Sequence, residues 1–152
     1  MTLDEYLGIG TTTVLGSYLF EAEAIKEFAR KYDPQPFHTD EEAAKRSVFG
    51  GLCASGWHTA AVWMKLNLAH RGPEWDGPGP APEFGPSPGF KNLKWLKPVY
   101  AGETVTFTRI GLDHRPLASR PGWRIMTLHS EGFDSTGDKV IEFDSAVLVK
   151  AG

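Results

Sequence analysis

Asp33 and His38 stand five positions apart in YDPQPFH, with Pro34 and Pro36 between them. A carboxylate and an imidazole that share one water can activate it, take up its proton and pass a proton on, which is general acid–base chemistry. Fully extended, five residues span roughly 17 Å, so the pair can cooperate only if the chain curls back. Each proline fixes its own φ and pushes the preceding residue, Asp33 or Gln35, out of the helical region. The stretch therefore reads as a stiffened loop with an acid at one end and an imidazole at the other.

The second group is SGWH. Ser55, Gly56 and Trp57 open the apolar run SGWHTAAVWMKLNLAHR, Ser55–Arg71, which reads as a helix. First-turn N–H groups have no partner inside a helix, and the helix dipole favours negative charge there. Glycine lets another group approach that turn closely, and Ser55 is placed to cap it. Trp57, Ala60, Ala61, Met64 and Leu68 form one apolar face, and Val62, Trp63 and Leu66 add apolar surface. Such a helix is expected to be buried on most sides, at the centre of the domain.

The remaining elements must hold these groups. TTTVLGSYLF (Thr11–Phe20) is β-branched and aromatic and reads as a strand. EAEAIKEFARKY reads as an amphipathic helix ending where Asp33 meets Pro34. TDEEAAKRS reads as a short helix capped by Thr39 or Asp40, Thr39 with Glu42 fitting a capping box. Residues 72–89 are dominated by glycine and proline, a long loop that is either a wall of a site or mobile. Four strands follow, in FKNLKWLKPV, TVTFTRIGLDH, WRIMTLHSEGF and KVIEFDSAVLVK, with turns at YAGE and STGD. The parts list implies one α+β domain over residues 1–152, an antiparallel sheet of about five strands around a long helix.

Composition excludes several classes. A net charge of -3 offers no broad basic surface for nucleic acid. No apolar run is long enough to span a bilayer, and MTLDEYLGIG has acids where a secretory signal has bases. The one cysteine, Cys53, forms no internal disulfide and reads as a buried inert thiol. A cytoplasmic protein is expected. His58 reads as packed in the helix, and His70, His114 and His129 show no metal-ligand spacing, so no metal is expected.

Three stretches, YDPQPFHTDEEAA, FGGLCASGWHTAAV and LKWLKPVYAGETVTF, resemble the MaoC-like dehydratases, relatives of the (R)-specific enoyl-CoA hydratases. The resemblance covers nearly the whole chain. It implies a hot-dog fold, a long helix wrapped by an antiparallel sheet. Asp33 and His38 fall on the family's hydratase motif, and Gly56 on the glycine that offers its N–H to a thioester. Lys97, Pro98, Gly102 and Glu103 fall on its strand-and-turn motif. Gln35 stands where the family often has Asn, Ser55 where it often has His, and Tyr32 where it often has Gly.

The resemblance implies reversible hydration of a trans-2-enoyl thioester, with catalytic Asp33, His38 and Gly56, and with Ser55 and Trp57 beside the substrate. It implies an acyl-CoA substrate, no separate cofactor and a homodimer with sheets paired edge to edge. The coenzyme phosphates have six candidate partners: Lys91, Lys94, Lys97, Arg115, Arg120 and Arg124. The alternatives are a hydratase for a branched or dicarboxylic acyl-CoA, a thioesterase, and a non-catalytic thioester-binding or signalling protein on the same fold.

Overall fold

Apolar and polar residues alternate along TVTFTRIG and WRIMTLHSEG, and that period of two turns one face of each strand inward. The computed structural model describes residues 1–151. In it these segments are β4 (Thr104–Pro116) and β5 (Trp123–Phe133), followed by β6 (Lys139–Lys150). Val105, Phe107, Met126, Ser130, Ile141 and Phe143 are buried. β1 (Thr12–Leu19) pairs with β4. The sheet is antiparallel, in the order β1-β4-β5-β6. The outer side of β6 is shared by two pieces, β2 (Glu83–Phe84) and β3 (Gly89–Trp95). The sheet thus has six strands where about five were expected, because the glycine- and proline-rich segment supplies the two-residue β2.

Helix α5 (Gly56–Ala69) crosses the inner face of the sheet. Its first residue abuts Trp95 of β3, Trp63 meets Phe143 of β6 edge-on with centroids 4.7 Å apart, and Leu66 lies over Gly16 of β1. Phe20, Ile25, Val105, Phe107 and Ile141 fill the main core beside it, each contributing about 1.5–3 kcal/mol by burial.

The buried side of α5 differs from the expected face. His58, Thr59, Val62 and Trp63 are buried, while Trp57, Ala61, Met64 and Leu68 are exposed. A helix apolar around its whole girth carries no direction in its periodicity, so the pattern does not say which side meets the sheet.

Two helices precede the site, α1 (Leu3–Leu7) and α2 (Ala22–Tyr32), and two short ones follow, α3 (Pro36–Thr39) and α4 (Glu41–Lys45). The expected loop between Asp33 and His38 contains α3, one helical turn with Pro36 in its first turn, where a proline costs no hydrogen bond. Asp40, not Thr39, caps α4: its side chain accepts from the N–H of Glu42 and Ala43, while the Thr39 hydroxyl donates to the Gln35 carbonyl.

Helix α1 had no periodic signal in the sequence, yet a Thr2–Glu5 capping box forms it. It covers the far half of the inner face, where Leu7, Met126, Leu128 and Val149 make a second cluster. The long loop docks there too. Trp75 meets Tyr6 edge-on at 5.4 Å, Phe84 stacks on Tyr6 at 6.4 Å, and Asp76 lies 3.2 Å from the N-terminal amine. The loop is held against α1 and lines no wall of the site. Among the described residues no helix is long and apolar enough to cross a membrane.

Candidate active site

Helix α2 ends at Tyr32, and the Asp33 N–H closes its last turn onto the Ala29 carbonyl. The Gln35 N–H then donates to the Asp33 carbonyl at 2.7 Å, a tight reversal, and α3 winds the chain back. His38 Nε2 thereby comes to 3.5 Å from Asp33 Oδ2. The loop curls as the dyad requires, and the separation suits one water bound to both atoms.

Both groups are held from behind. His38 is buried, and its Nδ1 lies 2.6 Å from the Cys53 carbonyl oxygen. A carbonyl only accepts, so Nδ1–H donates to it, and Nε2 is the ring nitrogen turned towards Asp33. Residues 53–54 are themselves fixed: Cys53 N–H donates to the Phe37 carbonyl at 3.3 Å and Ala54 N–H to the Val99 carbonyl at 2.8 Å. Asp33 Oδ1 accepts from Gln35 Nε2 and Oδ2 from Ser55 Oγ, each at 2.7 Å. Burial opposes ionisation of Asp33, but the Ser55 and Gln35 hydrogen bonds and the nearby His38 outweigh it, so its carboxyl lies below its ordinary value.

Ser55 is fully buried and does two jobs: its oxygen accepts the Trp57 N–H at 3.2 Å, capping α5, while its hydrogen goes to Asp33. Gly56 is the first residue of α5, where the backbone N–H has no acceptor inside the helix. A Cβ there would collide with the Trp95 indole, so any larger residue would push the indole aside.

These groups border a cleft of about 420 Å³, within the usual range for small-molecule sites. Asp33, His38, Gly56 and Trp57 line it, together with Gln35, Thr59 and a mostly apolar wall that includes Phe37, Trp95 and Val140. Trp57 meets Trp95 edge-on at 4.9 Å. The structure therefore brings together all five residues singled out in the sequence, Ser55 through its bond to Asp33. Sequence reasoning missed Gln35 as a donor to Asp33, Thr59, and Trp95. The proline spacing signals Gln35; Trp95 has no local signal, because its contact with Gly56 is made across the sheet.

Of the six basic residues considered for coenzyme phosphates, only Lys97 lines the cleft. Its amine bonds Asp134 at 2.7 Å and Asp138 at 2.9 Å, and these bonds push its pKa up. Arg115 and Arg124 lie at the opposite end of the sheet, where Arg115 pairs with Ile125 and Arg124 with Pro116, and Arg120 sits in the connection between those strands. His58 is packed as expected, stacked on Phe28 at 4.6 Å, and burial pushes its pKa down to about 4. Burial pushes the Cys53 thiol up to about 11.

One cluster was invisible to sequence spacing. His129 and Glu131 on β5 face Glu142 on β6, with ligand atoms within 4.8 Å of one another. Lys139 bonds both glutamates, at 2.5 and 3.0 Å, so the cluster carries its own cation.

A carboxylate and an imidazole 3.5 Å apart, in a cleft that the first residue of α5 also lines, frame the comparisons with known proteins. The family model described as the MaoC-like domain matches residues 9–110, which contain Asp33, His38 and Gly56. The chain belongs to the MaoC-like family. A MaoC-like dehydratase from Rhodospirillum rubrum is 37% identical, with a TM-score of 0.82 over 100% of this chain and 98% of that one. An (R)-hydratase from A. caviae involved in PHA biosynthesis shares the fold, with a TM-score of 0.66 and 23% identity over 95% of this chain and 96% of that one. The uncharacterized protein YdeM of Bacillus subtilis is 31% identical over 150 residues, covering 99% of each chain. The MaoC-like chain thus has the hot-dog fold, with α5 as the wrapped helix.

Proposed function

We propose that this protein reversibly hydrates a trans-2-enoyl thioester, an enoyl-CoA giving an (R)-3-hydroxyacyl-CoA. The observation that carries the reading is the 3.5 Å approach of His38 Nε2 to Asp33 Oδ2 in a cleft that Gly56 also lines. A water held by both atoms adds its oxygen to C3 as Asp33 accepts its proton. The C2=C3 electron pair moves towards the thioester oxygen, where the Gly56 N–H and the helix start stabilise the charge. A preorganised donor of this kind is worth about 3 kcal/mol in other enzymes. The proton passes through His38 to C2 and restores the dyad. Dehydration runs the same steps backwards. The reaction needs no separate cofactor, since coenzyme A enters with the substrate.

A homodimer completes this reading. The exposed side of α5, with Trp57, Ala61, Met64 and Leu68, joins the open edge of β3, with Phe90 and Trp95, through the Trp57–Trp95 contact. A continuous apolar strip beside an unpaired strand edge suits a second copy.

The test is the enoyl thioester absorbance of crotonyl-CoA and its longer homologues. Loss of the band without free thiol is hydration, and free thiol is thioesterase activity. Tight binding with no turnover makes the chain a non-catalytic thioester binder.

A further inference from the structure

Arg109 carries a positive charge with no negative partner. It shares one face of β4 with Phe107 and Gly111, and its guanidinium donates to Asn67 Oδ1 on α5. No salt bridge among the described residues includes it. Its cross-strand partners are Thr13 and Ser130, and the next residues on the same face are Phe107, Gly111, Leu128, Gly132 and Phe143, none of them acidic. Burial lowers its pKa, which shows a charge held partly out of water.

Two further polar groups beside it lack partners. Ser130 is fully buried and its Oγ is unbonded; Trp63 is buried and its Nε1–H is unbonded. Trp63 lies one turn before Asn67 on α5, and its ring meets Phe143, the cross-strand neighbour of Ser130 on β6. Strand register and helix spacing thus place a guanidinium, an indole N–H and a hydroxyl along the side of α5 that faces the sheet, with no anionic acceptor among the described residues bonded to them. Unpaired buried donors cost folding free energy. A water satisfies donors but leaves the charge; a carboxylate satisfies both, and a guanidinium fits its geometry best.

The patch lies farther along α5 than the cleft. Thr59 lines the cleft, and Thr59, Trp63 and Asn67 follow at four-residue steps along one side of α5, about 6 Å apart along the axis. Val140, which also lines the cleft, precedes Phe143 on β6. We propose that Arg109, Ser130 and Trp63 bind the terminal carboxylate of a dicarboxylic acyl group whose thioester end sits at Asp33 and His38. The assignment rests on the reading that the cleft takes an acyl thioester.

Calorimetry with saturated acyl-CoAs tests it apart from catalysis, using matched pairs: hexanoyl- against adipyl-CoA, octanoyl- against suberyl-CoA, and decanoyl- against sebacyl-CoA. At the chain length that reaches Arg109, the carboxylate-ended member should bind about ten- to a hundredfold more tightly. Arg109→Met should erase that difference and leave the methyl-ended affinity unchanged. Ser130→Ala, which should reduce the difference in part, serves if Arg109→Met does not fold. Equal binding within every pair overturns the proposal, and is what a patch completed by ordered water gives. So does an Arg109→Met protein with altered oligomeric state and an unaltered ratio, which would place Arg109 in a contact between copies. End-group preference without hydration of the matching enoyl-CoAs keeps this site and removes the hydratase reading. Hydration without end-group preference does the reverse.

Discussion

The Ser55 hydroxyl donates to Asp33 Oδ2 at 2.7 Å while it caps the helix that begins at Gly56. One side chain thus ties the acid to the helix start, and a shift in either moves both. Removing it in Ser55→Ala should cost about 1 kcal/mol for the lost cap. It should also raise the Asp33 pKa, because a hydrogen bond to the charged form is gone. The acidic limb of the activity profile should then move to higher pH, and a carboxyl-carbon NMR titration of Asp33 should move with it. An unmoved titration would leave Ser55 as a cap alone.

Gly56 and Trp95 should be coupled in stability. Gly56→Ala places a Cβ against the indole and should destabilise by about 1–3 kcal/mol through overpacking. In a Trp95→Leu background the same change should cost less, a difference that denaturant unfolding of the four proteins reads as a coupling energy. Equal costs in both backgrounds would show that the indole is not what excludes a side chain.

His58 should make stability pH-dependent. Its folded pKa is pushed down to about 4 from an ordinary 6.5 by burial. Between those values the unfolded chain binds a proton there that the folded chain does not. Stability from this residue is complete above about pH 6.5 and is lost as the pH falls towards 4, on the order of 3 kcal/mol in all. His58→Phe keeps the aromatic packing and should flatten the unfolding free energy across that window relative to wild type. Parallel curves for the two proteins would assign the proton uptake elsewhere.

The exposed side of α5 should hold a second copy. Sedimentation should show a dimer, and Met64→Glu with Leu68→Glu should shift it to a folded monomer. A wild-type monomer at high concentration would leave that apolar strip without the occupant assigned to it.

The chain reversal that brings Asp33 to His38 was legible because its determinants are local. Two prolines and a helix end turn the chain back between Asp33 and His38, and all lie within a few residues of them, whereas the Cys53 carbonyl and the Ser55 hydroxyl that hold the side chains come from farther along the chain. The strands were legible for the same reason, since alternation is local. The orientation of α5 was not, because His58 is buried against residues distant in sequence such as Phe20 and Phe28, while Leu68, more apolar than His58, is 77% exposed. Long-range pairing also hid the Gly56–Trp95 contact, the unmatched charge of Arg109 and the meeting of His129 with Glu142. Residues 72–89 read as a loop from composition, but the attachment of Trp75 and Phe84 to Tyr6 depends on a helix that one capping box, and no periodicity, announces.

The most direct test is the hydration rate of a panel of enoyl-CoAs by the wild-type protein beside Asp33→Asn and His38→Gln. The account predicts turnover by wild type and a loss of at least about a hundredfold in kcat/KM for each variant, with unfolding midpoints unchanged enough to show that both are folded. Variants as active as wild type, or a wild type inert at every chain length and end group, would contradict it and leave the Asp33–His38 pair as scaffold.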